Sequence, residues 1–415
     1  MPSIPSTRLA INGDRLIQRL YALADIGAID GGGCARLALT DEDKAGRDLV
    51  VSWMRECDLD ISIDAIGNVI GTWNVGNGAP VMSGSHIDTV RTGGKYDGNL
   101  GVLAALEVIQ TCQEYNITPS RPLAVGFFTD EEGSRFPPDM LGSLVYAGGM
   151  SVEEAHDIVG IDGATVGNEL ARIGYLGNVP CPGLTPHAFV ELHIEQGPVL
   201  EIENTTIGVV TSVQGISWIE ATIEGQSNHA GTTPMSMRHD PSYVASRITV
   251  FLRELSQRYG GNQVCTVGKI DLFPNLVNVV PAKATLTLDV RNTDESLLQM
   301  AEQEIHDFLK KIETDEGVKI ATRSLARFEP VLFHDTVIDL VERTAVDHGL
   351  SFKRMPSGAG HDAQMLARMC PSGMIFVPSH KGISHNPAEH TEQDDLIAGA
   401  NVLLDVMLNL AEVDF

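Results

Sequence analysis

Four short apolar runs in this chain each end in imidazole or carboxylate side chains. Met82-Ser83-Gly84-Ser85 leads into His86-Ile87-Asp88-Thr89, and Val125-Gly126-Phe127-Phe128 leads into Thr129-Asp130-Glu131-Glu132-Gly133. Phe189-Val190-Glu191-Leu192 leads into His193-Ile194-Glu195-Gln196-Gly197, and Met374-Ile375-Phe376-Val377 leads through a loop to Ser384-His385-Asn386. In an open parallel sheet, sites form outside the carboxyl ends of the strands. Four strand ends loaded in this way therefore suggest one shared site. Imidazole and carboxylate without thiolate suit zinc, and also manganese, cobalt or nickel. Asp88, two residues beyond His86, is spaced to accept that imidazole's second N–H and fix its tautomer. Asp97 stands just before a helical stretch that starts at Gly98. It reads either as a helix N-cap or as a carboxylate bridging two cations, and Gly93, Gly94 and Gly98 would let the backbone come close to the ions. Glu131 and Glu132 are adjacent acids, and neighbours in a strand point to opposite faces. One can bind metal while the other serves as general base to water whose pKa a cation lowers. His156, His187, His239, His306, His334 and His348 lack such company and read as structural, while His361 and His390 stay open.

The elements that must position these residues show in the apolar pattern. Arg15 to Ala24, Asp41 to Cys57 and Gly98 to Tyr115 have helical spacing, and Asn68 to Trp73, Pro80 to Ser83, Leu123 to Phe128 and Phe189 to Ile194 are short apolar runs. Strands alternating with helices predict an α/β fold with a mostly parallel, covered sheet. The texture changes near Ser212. Strand Trp218 to Ile223, helix Pro241 to Tyr259, strands Val264 to Ile270 and Ala284 to Val290, helix Glu295 to Ile312 and strand Val318 to Thr322 spell βαββαβ, the ferredoxin-like order. From Phe328 the first texture resumes, with helix Val337 to His348 and strand Met374 to Pro378. Residues 1–211 and 328–415 thus read as one domain, with 212–327 inserted into it.

A chain of 415 residues, 43% of them hydrophobic, fits two domains better than one. Its net charge of −26 disfavours nucleic acid and anionic membrane surfaces as partners. The six cysteines are scattered without a CxxC pair, as reduced thiols of a cytoplasmic protein would be. Met1 to Asp14 lacks the pattern of a secretory leader, and no apolar stretch is long enough to cross a membrane.

The ordered set GSHIDTVRTGGKYDGNLGVLAALE, FTDEEGSRF, ELHIEQGPVLE, GQSNHAGTTPMSMRHD, FPNLVNVVP, DVRNTDE, SGAGHDAQ and GISHNPAEHT resembles the M20 metallopeptidase-like family. It is most similar to the branch of N-carbamoyl-L-amino acid hydrolases, β-ureidopropionases and allantoate amidohydrolases, and the resemblance covers nearly the whole chain. It implies a metallohydrolase with two divalent metal ions per subunit, zinc or else manganese, cobalt or nickel. His86 and His193 would hold one ion, Glu132 and His385 the other, and Asp97 would bridge them. Glu131 would be the general base, taking a proton from water and returning it to the leaving amine. The inserted domain would serve as lid and as the interface of a homodimer. From it His229 would stabilise the tetrahedral oxyanion, across the dimer from its own metals. Asn278 and Arg291 would hold the small ureido substrate, with Arg291 gripping its carboxylate, and Gln196 would contact the ureido group. The resemblance also implies a cis peptide between Asp97 and Gly98. Without it, His229 reads as a turn residue before Gly231 and Arg291 as a strand-end charge near Asp289 and Asp294.

Three enzyme readings follow. The stretch Gly32 to Asp41 looks like an N-carbamoyl amino acid hydrolase, whereas Pro274 to Pro281 and Arg291 to Asp294 fit allantoate amidohydrolase equally well. His193, where the peptidases commonly carry a carboxylate, points away from a peptidase. A non-catalytic, small-molecule-binding relative would be expected to have lost a ligand or Glu131, and none is lost.

Overall fold

The computed structural model describes residues 9–415. The first eight residues of the Met1–Asp14 stretch lie outside the described residues. The chain divides into two compact units: one runs to Thr211 and resumes over Leu332–Phe415, and the other is Ser212–Val331. The return to the first unit thus falls at Val331/Leu332, a few residues later than the apolar pattern suggests.

The first unit is built on a mixed sheet ordered Asp60–Ile63, Val69–Trp73, Leu123–Phe128, Val81–His86, Ala188–Ile194, Ser372–Val377, Ile207–Val213 and Val331–Leu332, with Phe352–Ser357 paired to Ile207–Val213. Its four middle strands run parallel, and pairing turns antiparallel at the margins. Every residue of those four strands is buried. Such strands are covered on both faces, which is why they read as continuous apolar runs instead of alternating ones. Helix Asn99–Glu114 packs on this sheet and on the C-terminal helix Gln393–Glu412. It is buried almost all round, so its apolar residues form no single stripe. The connection from Phe128 to Ala188 shows no clear period in the sequence. It carries the short helices Leu141–Tyr146, Val152–His156 and Val166–Ile173.

The second unit is a four-stranded antiparallel sheet ordered Lys319–Phe328, Gly215–Glu224, Lys283–Asn292 and Val264–Phe273. Helices Pro241–Tyr259 and Glu295–Glu316 cover one face. Val244, Ile248, Leu252 and Leu255 of the first and Leu298, Ile305 and Leu309 of the second close a core with Ala221, Ile223, Leu286, Leu288 and Val290. Asp240 and Asp294 cap the two helices by accepting main-chain N–H groups. This is the ferredoxin-like arrangement that the βαββαβ pattern predicts.

Candidate metal centre

The carboxyl ends of the parallel strands carry the cluster. His86 is the last residue of Val81–His86, and His193 is the last but one of Ala188–Ile194. Each ring turns Nδ1 to a main-chain carbonyl, His86 to that of Asp88 at 2.9 Å and His193 to that of Ile194 at 2.8 Å. A carbonyl can only accept, so Nδ1 carries a proton and Nε2 holds the lone pair, which in His193 accepts the Gly98 N–H at 3.0 Å. Both Nε2 atoms face Asp97 Oδ1, at 3.5 Å from His86 and 3.1 Å from His193. The other oxygen of Asp97 faces His385 Nε2 at 3.6 Å, and Glu132 Oε2 lies 3.2 Å from the same nitrogen. Two groups able to hold a cation thus share one carboxylate: His86, Asp97 and His193, and Asp97, Glu132 and His385. Glu131 Oε2 stands 3.4 Å from His86 Nε2.

Local backbone serves this convergence. Helix Asn99–Glu114 begins after Gly98, whose φ of +65° and lack of a Cβ let it lie against the His86 ring; a Cβ there would be 2.5 Å from it. Asp97 is therefore not the N-cap, and its side chain is turned wholly toward the site. Asp130, Gln196 and His385 also adopt positive φ, a strain that surrounding contacts must hold. The cis peptides among the described residues are Pro137-Pro138, Cys181-Pro182 and Phe273-Pro274, so the Asp97–Gly98 peptide is trans, against the expectation from the resemblance.

The expected role of Asp88 takes a different form. Asp88 steadies His86 through its main-chain carbonyl. Its carboxylate instead accepts the N–H groups of Glu131 and Glu132, at 3.2 and 3.3 Å. Gln196 donates through Nε2 to Asp97 Oδ2 at 2.7 Å, and its Oε1 is buried without a partner among the described residues.

Electrostatics agree with a cation site. Burial disfavours charge on His86 and His193, but Glu131 and Asp97 around the first and Asp97 and Glu191 around the second outweigh it and raise both pKa values. Burial likewise opposes charge on Asp97, yet His193 and His86 hold it well below the usual carboxylate range. Glu131 goes the other way: burial and the neighbouring Asp362, Glu132 and Asp97 outweigh His86 and raise it well above 4.5. Glu132 pushes His385 up to about 9. Each ion pair that Asp97, Glu131 and Glu132 form among the described residues is with an imidazole. Buried carboxylates at this density need strong positive partners, and the donor set of His and carboxylate oxygen fits divalent zinc, manganese or cobalt.

Three expected substrate residues belong to the second unit. His229 is exposed on the short ladder Asn228–His229 with Val279–Val280. Its Nδ1 accepts from the N–H groups of Gly231 and Thr232, which leaves Nε2 as the donor of a neutral ring. Asn278, also exposed, accepts Ala230 N–H on its carbonyl. Arg291 gives Nε and Nη2 to Asp289, each at 2.9 Å, and lies over the Trp218 ring. Arg291 pairs with Ile216 near one end of strand Lys283–Asn292, while His229 and Asn278 hang off the Lys283 end.

Several supporting residues carry no local signal. Glu389 accepts the N–H groups of Tyr96 and Asp97 and the hydroxyl of Ser384, which also lies 2.9 Å from Asp97. Gly94 makes room for it, since a Cβ there would fall 2.0 Å from its carboxyl. Glu191 accepts Ser85 Oγ–H and Ala363 N–H. Its one signal is an acid inside a buried strand. His361 is buried against His193, with ring centroids 4.6 Å apart and a bond to Ser357, while His390 lies beside Glu392. Of the histidines read as structural, His156, His187 and His239 bond main-chain carbonyls, His334 caps a helix and His348 meets Asp405.

A mainly parallel α/β sheet with carboxylate-linked His and acid groups at its strand ends is the framework of a hydrolase. Residues 82–409 match peptidase family M20/M25/M40. The chain belongs to that family and is a hydrolase of amide-type C–N bonds. It is 39% identical to an N-carbamoyl-L-amino-acid amidohydrolase of Rhizobium meliloti over 99% of both chains. It is 38% identical to an allantoate amidohydrolase of Escherichia coli over 94% of this chain and 96% of that one. The crystal structure of an amidase of the hydantoinase/carbamoylase family from Burkholderia multivorans superposes with a TM-score of 0.95 at 42% identity, covering 98% of this chain and 100% of that one.

Proposed function

We propose that the chain is a two-metal amidohydrolase that takes an N-carbamoyl amino acid and water to the amino acid, carbon dioxide and ammonia. The observation that carries this reading is the Asp97 carboxylate, which faces imidazoles on both of its oxygens with Glu131 alongside. His86 and His193 would hold one ion, Glu132 and His385 the other, and Asp97 both. Zinc, manganese, cobalt or nickel, when bound, would acidify water and polarise the substrate carbonyl. Glu131, held in place by the Asp88 bond to its N–H, takes the proton of the attacking water and delivers it to the leaving nitrogen. Gln196 contacts the ureido group, Asn278 and Arg291 hold the substrate, with Arg291 on its carboxylate in competition with Asp289, and His229 Nε2–H donates to the developing oxyanion.

The second unit gives support to a homodimer. Arg291 lies eight residues beyond Lys283 on one continuous strand, which is about 26 Å at about 3.3 Å per residue. A carbamoyl amino acid, about two residues long, spans about 7 Å. That span supports the reading in which one chain's Arg291 shares a substrate with His229, and with Asn278 beside it, of a second copy. The six free, mostly buried cysteines agree with a cytoplasmic setting. No helix among the described residues is long and apolar enough to cross a membrane.

Allantoate is the second reading, because relatives of both names match at similar identity. The test is ammonia release from N-carbamoyl-L-amino acids, N-carbamoyl-β-alanine and allantoate by metal-free protein refilled with Mn²⁺, Co²⁺ or Zn²⁺. Turnover confined to allantoate would replace the first reading with the second, and turnover of neither class would sink both.

A further inference from the structure

The stretch Gly32 to Asp41 supplies none of the ligands, yet its Arg36 is completely buried. All hydrogen-bond partners of its guanidinium among the described residues are neutral. Nε donates to the Ile87 carbonyl at 2.7 Å, and Nη1 to the carbonyls of Leu23 and Ile26, each at 2.8 Å, with Cys34 Sγ at 3.3 Å. Nη2 donates to Asn99 Oδ1 at 2.8 Å. A buried arginine with no acid partner is costly to keep, so the positions of its acceptors matter. Leu23 and Ile26 close the C-terminal end of helix Gly13–Ala24, where the negative end of the helix dipole offsets the charge.

The other two acceptors lead to the metal centre. Ile87 lies between His86 and Asp88, so fixing its carbonyl fixes the peptide that presents Asp88. That residue in turn holds the His86 ring and the N–H groups of Glu131 and Glu132. Asn99 reaches back to the loop that bears Asp97: its Nδ2 donates to the Lys95 carbonyl at 3.1 Å and its N–H to the Asp97 carbonyl at 2.7 Å. Arg36 N–H to Thr89 Oγ1 at 2.7 Å, with Thr89 N–H returned to the Arg36 carbonyl, pins the arginine itself. One rigid planar fork thus spans the loop of His86 and the loop of Asp97.

We propose that Arg36 is a positioning residue that sets the spacing of these two loops, and so the fit of His86 and Asp97 around one ion. It acts through Ile87 and Asn99 and touches neither substrate nor ligand atoms. The inference rests on reading His86 and Asp97 as ligands of the same cation.

The test is a double-variant cycle read by calorimetric titration of Mn²⁺ into metal-free protein. Arg36→Lys keeps the charge but loses the fork, and Asn99→Ala cuts the same strap from its other end. Each should weaken Mn²⁺ binding about tenfold or more, as loss of partners behind metal ligands does. The double variant should be no weaker than the weaker single one, because both changes break one connection. Wild-type affinity in Arg36→Lys, or losses that multiply in the double variant, would overturn the proposal. A merely structural Arg36 would lower the unfolding midpoint and leave the affinity of the folded protein unchanged. If Arg36→Lys does not fold, Asn99→Ala decides alone, and unchanged affinity there refutes the strap. Because no substrate enters, a wild type that shows this coupling but hydrolyses no ureido compound would defeat the functional reading and leave the role of Arg36 standing. A wild type that takes up no divalent ion would overturn both.

Discussion

Mixing two inactive variants gives the sharpest test of a shared site. His229→Ala removes the proposed oxyanion donor and leaves the proposed metal centre intact, and Glu131→Gln removes the proposed base and leaves the second unit intact. The span of about 26 Å between Lys283 and Arg291, on a strand paired without interruption to Gly215–Glu224, is the reason to expect that one substrate draws on two copies. In an isologous dimer with free subunit exchange, equal amounts of the two variants form mixed dimers in about half of all pairs. Each mixed dimer holds one site with both defects and one with neither, so about one quarter of wild-type activity should return. The assay is ammonia release before and after exchange, with exchange followed independently by mass-tagged subunits. No recovery despite proven exchange would mean that each chain completes its own site, and the argument from strand length would fail.

Glu131→Gln alone should keep the fold and lower kcat by about 10²–10⁴-fold, the usual worth of general acid–base catalysis; near-normal kcat in steady-state kinetics would place the base elsewhere. Gly94→Ala drives a Cβ to 2.0 Å from the Glu389 carboxyl, and displacing that buried group should destabilise the fold by about 1–3 kcal/mol in urea unfolding. Arg172 and then Arg135 hold the Glu169 carboxylate below its ordinary 4.5. Its contribution to stability should be full above pH 4.5 and fade as pH falls through the lower native value. The difference in unfolding free energy between wild type and Glu169→Gln should therefore shrink toward zero in acid, and a constant difference would refute the ion-pair account. Removing metal with a chelator should lower the unfolding midpoint and abolish turnover, because ions that bind only the folded state stabilise it by mass action, and both should return on refilling with Mn²⁺ or Zn²⁺.

The chemistry of this protein is largely legible in its sequence because the middle of the sheet is parallel. Buried parallel strands are continuous apolar runs, and their carboxyl ends are where polar residues can gather; His86, Glu131, Glu132 and His193 sit at such ends. The ferredoxin-like unit is legible for a similar reason, since its strands and helices have distinct periods. What the sequence could not decide is which atoms meet. The strand order places Val81–His86 between Leu123–Phe128 and Ala188–Ile194, and that order makes His86 and His193 neighbours across Asp97. It also turns the Asp88 carboxylate to the N–H groups of Glu131 and Glu132 while its carbonyl takes the imidazole. Glu389 and Arg36 show no local pattern, because the partners that tie them to the Asp97 and His86 loops lie some 290 and 50 residues away along the chain. A hydrogen bond between distant segments leaves no period in either one. Residue types and spacings therefore determined what kind of chemistry this chain carries, and only the packing of the strands decided which groups come within reach of one another.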